Sequence, residues 1–290
     1  MIVGAGRGPL VEKALDAARD AEKNIIVYAL DKNENAIITL ESLRELRWGG
    51  EEGLEYGKVE IIYEDMRKWN APQKADIIIS ELLGSFGDNE LSPECLDGVW
   101  RYVHEKTISI PCEYTSFIAP IQSQKLYSYM KMESTDKTTL SEEFAYVVQV
   151  RNAYLIDKPK SVFKFEHKNL LLPPESRNNN RETTLEFLTK LHTTCHGFVG
   201  YFNCCLYKNI CISIEPSTAN SNMFSWFPIY FPIEKPFTLP ENKEIILNIS
   251  RKVDNEKAWY EWQVKEPELS KIHNQDGKVY SIGLYQDESI

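Results

Sequence analysis

Two glutamates bound the segment Ser80-Glu81-Leu-Leu-Gly-Ser-Phe-Gly-Asp-Asn-Glu90-Leu-Ser-Pro93, which follows the apolar run Ala75–Ile79. Glycines inside such a segment let the chain reverse tightly, so both carboxylates can turn toward one small space. Two facing carboxylates suit a cationic guest. A guanidinium fits best, because its planar fork pairs bidentately with carboxylate oxygens. Each acid also has an ordinary use: Glu81 can end a strand, and Glu90 can complement the dipole of the next helix. The segment as a whole, with two glycines and no Lys or Arg, is harder to explain that way.

A second chemical feature opens the chain: Gly4-Ala-Gly6-Arg-Gly8-Pro9. Glycines here permit a tight turn and close approach of the backbone to a ligand. The dinucleotide fingerprint needs a small residue where Pro9 stands, which argues against a nicotinamide oxidoreductase. The spacing instead fits the first motif of S-adenosylmethionine enzymes, with Arg7 able to hold the methionyl carboxylate. Asp31 closes the next apolar run, where an acid can accept hydrogen bonds from ribose hydroxyls or serve as a helix cap. Asp65-Met66 follows a further run. Asp65 can meet an adenine amino group and Met66 can cover a ring face, and an ordinary turn is equally compatible. In the aromatic loop Phe224-Ser225-Trp226-Phe227-Pro228, core packing is the default reading. The functional one sets Trp226 over a guanidinium, with Ser225 and Phe227 lining the same slot. Cys95 reads as helix packing.

The elements that must position these residues alternate at first. Ile2-Val3, Asn24–Leu30, Lys58–Tyr63, Ala75–Ser80 and Ile108–Ile110 read as strands, and Pro9–Glu22, Asn33–Trp48 and a segment starting at Ser92-Pro93-Glu94 read as helices. Ser92 is the expected N-cap and Pro93 the N1 residue of the last. Alternating strands and helices predict a doubly wound parallel sheet. At Pro111 the texture changes to prolines, aromatics and regular short strands: Tyr146–Val150, Val162–Phe165, Thr183–Phe187, Gly197–Leu206, Ile210–Ile214, Glu244–Ile249 and Trp259–Val264. That pattern predicts a β-barrel or sandwich. The expected domains are 1–111, Rossmann-like and cofactor-binding, and 112–290, a substrate-binding barrel. The polar stretch at about 122–143 is a candidate dimerisation arm, and Asn178–Arg181 a loop.

Bulk properties narrow the function classes. Thirty-three basic against 43 acidic residues give a net charge of −10 in 290 residues. This argues against direct nucleic-acid binding and is compatible with a basic partner. No apolar run reaches transmembrane length, and no membrane association is expected. Six cysteines without regular spacing predict reduced thiols, in cytoplasm or nucleus. His192, Cys195 and His196 are the nearest approach to a metal cluster, but their segment reads as strand rather than helix, and no metal is expected. Only three residues precede Gly4, so the first strand is expected to be clipped and the chain to begin inside a longer protein.

On Gly4–Leu10, Ser80–Gly98, Tyr114-Thr-Ser-Phe117 and Met223–Pro228 the chain resembles protein arginine methyltransferases. The Phe-Ser-Trp form of the aromatic loop is similar to the symmetric-dimethylating class. The resemblance implies a Rossmann-like class I methyltransferase domain followed by a β-barrel. It implies S-adenosyl-L-methionine on Gly4, Gly6, Arg7, Asp31, Asp65 and Met66, a substrate arginine between Glu81 and Glu90, and Trp226 lining its slot. Asp31 stands where that class usually has glutamate. Implied partners are Arg/Gly-rich tails of histones and spliceosomal Sm proteins, further copies of the chain, and a WD-repeat protein. The helix that folds over the cofactor in the family, and the N-terminal barrel of this class, are not within the sequence. This motivates the competing expectation of an inactive fragment or pseudoenzyme serving as an interaction module.

Overall fold

The computed structural model describes residues 1–49, 57–133, 141–167, 172–173 and 176–284. Its first half is a parallel sheet of β1 (Ile2–Val3), β2 (Ile25–Asp31), β3 (Gly57–Tyr63), β4 (Ile77–Ser80) and β5 (Ile108–Ile110) in the order β3-β2-β1-β4-β5. Val27 to Leu30 are all buried, as expected of a central parallel strand covered on both faces. The strand order reverses between β1 and β4. A crevice forms beyond the carboxyl ends of strands at such a switch point, and both chemical segments emerge there.

Helix α1 (Pro9–Asp20) follows the glycine turn, with Gly8 as its N-cap and Pro9 at the start. Helix α2 (Glu34–Leu43) is capped by Asn33, whose side chain accepts from the Asn35 N–H at 2.9 Å, and it continues as a wide turn over Arg44–Trp48. Helix α3 (Ser92–Asp97) starts one residue earlier than the N-cap reading requires. Leu91 takes the capping position with φ of 64°. The Ser92 hydroxyl is instead 2.6 Å from the buried Tyr114 hydroxyl, which burial has stripped of water.

The second half is antiparallel. The strands β6 (Glu113–Gln122), β7 (Tyr146–Val147), β8 (Tyr154–Leu155), β9 (Lys160–Glu166), β11 (Thr193–Tyr207), β12 (Ile210–Ser213) and β13 (Ile229–Leu239) form one sheet. Strands β10 (Arg181–Leu188), β14 (Glu244–Val253), β15 (Lys257–Glu266) and β16 (Ile282–Gly283) form the other. Both wrap a core that includes Phe163, Phe187, Phe198, Phe231, Leu247 and Trp262, as in the expected barrel. Four of these strands, β6, β8, β13 and β16, have no counterpart in the sequence reading. Of the candidate arm, Gln124–Glu133 is helix α4 and Ser141–Glu143 a single turn, and 134–140 lie outside the described residues.

The halves interlock through Phe86, which leaves the parallel half and enters the barrel core, meeting Phe231 edge-on at 5.2 Å and Tyr260 at 5.6 Å. Ser116 on β6 fixes this insertion by donating to the Phe86 carbonyl at 2.7 Å. Ser116 is fully buried, so Ser116→Ala strands that carbonyl. It is expected to cost about 1–2 kcal/mol, read as a lower denaturant midpoint with unchanged slope.

Candidate active site

The strap 81–91 is held at its centre and open at its ends. Gly84 and Gly87 exchange backbone hydrogen bonds of 3.2 and 2.9 Å, and the Phe86 N–H donates to Asn89 Oδ1 at 2.6 Å. Gly87 has φ of +87°, and a Cβ there would lie 2.8 Å from the Tyr114 ring. Any other residue would meet both strain and a clash. Asp88, next in line, is wholly buried. It accepts from Arg251 Nε and from the Tyr260 hydroxyl at 2.7 Å, and Arg251 reaches on to Glu94 at 2.9 and 2.8 Å.

This buried network aims the strap's ends outward. Glu81 leaves the end of β4 and Glu90 precedes α3, and both side chains are exposed. Among the described residues neither has an ion-pair partner. Burial of part of the Glu90 carboxyl, and then the neighbouring Glu81 charge, push its pKa above the usual glutamate range. The Glu81 charge is therefore close enough to oppose ionisation of Glu90, which a bound cation would relieve. Trp226 joins them from the barrel side: its indole N–H donates to the Leu83 carbonyl of the strap at 2.7 Å, and its ring meets Phe202 edge-on at 5.5 Å. Ser225 is exposed and Phe227 is 42% exposed.

The glycine turn lies across the crevice. Gly4 and Ala5 both donate to the Leu30 carbonyl, at 3.0 and 2.8 Å. Gly4 has φ of +77°, and a Cβ there would lie 3.5 Å from Leu82 and 3.7 Å from Met66. The turn, the Asp65-Met66 turn and the first residue beyond Glu81 thus converge. Asp31 ties the turn down, accepting from Gly6 N–H at 2.7 Å through one oxygen and from Asn33 N–H at 2.8 Å through the other. Gly6, Arg7 and Asp31 line an open cleft of about 630 Å³ with Asn33 and Ile38. A Cβ on Gly6 would meet nothing within 4 Å, so a ligand can approach the backbone there. Asp65 has a partner that the sequence did not announce: Arg67 binds both carboxylate oxygens, with Nη2 at 2.6 Å. Burial pushes the Asp65 carboxyl up, but Arg67 outweighs it and holds the group below the usual range. Burial pushes the Cys95 thiol up to about 11.

The other candidates separate. Cys195 is in the barrel core, and His196 is held by Gln124 at 3.0 Å and by the Ser123 N–H at 3.3 Å, while His192 is exposed. Asp88, Glu94, Arg251 and Tyr260 belong to the site's support without being candidates in the sequence. Only the odd presence of a third acid, Asp88, amid apolar and glycine residues could have flagged them.

Among solved structures the chain is similar to a Trypanosoma brucei PRMT1 enzyme-prozyme heterotetrameric complex with AdoHcy. The TM-score is 0.71 and the identity 14%, covering 97% of this chain and 86% of that one. It is also similar to Arabidopsis thaliana protein arginine methyltransferase 10 in an open conformation, with a TM-score of 0.66 and 17% identity over 97% and 86% of the chains. The fold is that of a Rossmann-like class I methyltransferase domain followed by a β-barrel domain. Residues 1–110 match the family model described as PRMT5 arginine-N-methyltransferase, and 113–282 the one described as PRMT5 oligomerisation domain; the chain belongs to this family. It is 46% identical over 286 residues to protein arginine N-methyltransferase 5 of Xenopus laevis, covering 98% of this chain and 44% of the relative. It is 49% identical over 287 residues to that of Oryza sativa subsp. indica, covering 98% and 42%. The chain thus spans less than half the length of these relatives.

Proposed function

We propose that this chain carries the methyl-transfer site of a protein arginine methyltransferase, acting on arginine ω-nitrogens with S-adenosyl-L-methionine and yielding symmetric dimethylarginine. The observation that carries this reading is the exposed pair Glu81 and Glu90 at the switch point, unneutralised among the described residues and fixed by a buried network. Gly4, Gly6, Arg7, Asp31, Asp65 and Met66 would hold the cofactor: the unobstructed glycine backbone fits close approach, and Asp31 and Arg7 on the cleft offer an acceptor and a cation. When bound, the cofactor supplies an electrophilic methyl group on a sulfonium. A T. brucei relative by fold is described in complex with AdoHcy, which supports this choice.

Arginine is fully protonated in water, with a pKa of about 12 or more, and is a poor nucleophile. Glu81 and Glu90 accept from its guanidinium and offset the repulsion between two cations in a site of lowered dielectric. Unequal pairing draws charge to one nitrogen and leaves electron density on the other. Glu90, raised by burial and by Glu81, is the better placed of the two to take the proton that the methylated nitrogen sheds. Alignment supplies much of the rest. Trp226, fixed on Leu83, walls the slot.

Arg/Gly-rich tails such as those of histones and spliceosomal Sm proteins are the proposed substrates, a WD-repeat protein a proposed partner, and cytoplasm and nucleus the proposed compartments. The −10 charge supports a basic substrate, and six free thiols support a reducing compartment. The match to an oligomerisation domain supports assembly of several copies.

Methyl transfer from labelled S-adenosylmethionine to an Arg/Gly-rich peptide, resolved by mass spectrometry, tests the proposal. Symmetric dimethylarginine is the expected product. Absence of transfer by folded protein that binds the cofactor would remove it. A pH profile adds an independent check. Glu90 must be ionised to hold the cation, so kcat/KM should fall as pH drops through a midpoint above the ordinary glutamate value. A midpoint in the usual range would contradict the close pairing with Glu81.

A further inference from the structure

Three thiols meet on the outer face of the barrel. The Cys205 thiol donates to the Lys208 carbonyl at 2.9 Å and the Cys112 thiol to the Cys205 carbonyl at 3.3 Å, and the Cys112 and Cys211 thiols both bear on the ionisation of Cys205. Cys112 is the first residue beyond Pro111, and its N–H donates to the Cys205 carbonyl at 2.9 Å. Cys204, the next residue along, points the other way into the barrel core.

The register decides which pair can join. Cys205 stands directly across from Cys211 in the β11–β12 hairpin. The Ile214 N–H donates to the Phe202 carbonyl at 3.0 Å, which makes Phe202 and Ile214 a hydrogen-bonded pair. Pair types alternate along an antiparallel ladder. Three steps on, Cys205 and Cys211 are therefore a non-hydrogen-bonded pair, the kind with Cα atoms only about 4.5 Å apart and side chains closest. That separation is within the range a disulfide spans, about 4.4–6.8 Å.

We propose that Cys205 and Cys211 are a reversible dithiol modification site, oxidised to a cross-strand disulfide by a hydroperoxide. Cys211 is exposed and Cys205 only partly so, and burial followed by the adjoining thiols pushes Cys205 up to about 12. Cys211 is thus the sulfur that meets the oxidant. Its thiolate attacks the peroxide, the O–O bond breaks, and the products are a Cys211 sulfenic acid and the alcohol or water of the reduced peroxide. The Cys205 sulfur then attacks the Cys211 sulfur. The S–S bond forms, and the sulfenic oxygen leaves as water with the Cys205 proton. Two electrons pass from the two thiols to one peroxide, and a thiol reductant reverses the bridge.

The test treats the reduced, folded protein with hydrogen peroxide, alkylates the remaining thiols, and maps tryptic peptides. Trypsin cuts at Lys208, between the two cysteines, so a bridge joins two separate peptides. The expected result is a Cys205–Cys211 linkage that dithiothreitol releases. It should persist in Cys204→Ser and vanish in Cys205→Ser, where Cys211 should be trapped by dimedone. A linkage through Cys112 or Cys204, over-oxidation of Cys211 without any linkage, or full alkylation of both thiols after peroxide would each overturn the assignment.

Discussion

Replacing either acid of the strap, as Glu81→Gln or Glu90→Gln, is expected to lower kcat for transfer to an Arg/Gly-rich peptide by about 10²–10³-fold, the size typical of losing one preorganised electrostatic contact to the transition state. Glutamine keeps the shape and one acceptor oxygen but removes the charge that holds a guanidinium beside a second cation. The same substitution should act oppositely on stability. Burial and Glu81 raise the pKa of Glu90 in the folded protein, so the folded state binds its proton more tightly than the unfolded chain does. Its contribution to stability is full below the unfolded pKa and is lost as pH rises through the folded one. At neutral pH the ionised Glu90 is therefore a cost, and Glu90→Gln should melt above the parent protein. A residue that lowers stability while raising rate marks a working site rather than a surface cap. Near-normal kcat in either variant, or a lower melting temperature for Glu90→Gln at pH 7, would contradict the role assigned to the pair. Thermal denaturation and initial rates on the same preparations measure both.

The sequence disclosed the parallel half because its strands are short continuous apolar runs, and burial on both faces leaves no other reading for Val27–Leu30. Glycine turns were equally legible: Gly4 and Gly87 sit at positive φ, a need visible in residue type alone. The two long barrel strands absent from the sequence reading, β6 and β13, share a different cause. Strand β13 carries Pro232 and Pro236 and β6 carries Pro120, and proline argues against a central strand. In β13 the register shifts between Cys195 and Gly197 of the neighbouring strand, opposite the stretch from Pro232 to Phe237, so a bulge absorbs the irregularity. Local capping rules predict Ser92 as an N-cap, but the buried Tyr114 hydroxyl takes its side chain. The anchor of the site was illegible for a topological reason. Arg251 is 163 residues from Asp88, and nothing local in either segment names its partner.

That anchor carries the largest expected effect on folding. Arg251→Met should destabilise the protein by about 3–5 kcal/mol, the range for removing one partner of a buried ion pair. The Arg251 side chain is 2% exposed and that of Asp88 0%, so water cannot replace the lost contact. Burial already holds the Asp88 carboxyl above its ordinary range, with the Arg251 charge the strongest force opposing it. Without the guanidinium, Asp88 keeps the Tyr260 and Ser116 hydroxyls but no cation, and Glu94 loses both its bonds to Arg251. A fall in melting temperature on the order of ten degrees follows, at a few degrees per kcal/mol. Asp88→Asn alone leaves Arg251 with Glu94. The double variant Asp88→Asn, Arg251→Met should then be less destabilised than the two singles summed, because no unpaired aspartate remains in the core. Strict additivity would mean that Arg251 acts through packing on Phe165, 5.5 Å from its guanidinium carbon, rather than through the pair. Asp88 lies two residues from Glu90, so the same loss must also loosen the strap. Below its melting temperature Arg251→Met should lose kcat more than it raises KM, since misplaced carboxylates fail at the transition state before they fail at binding.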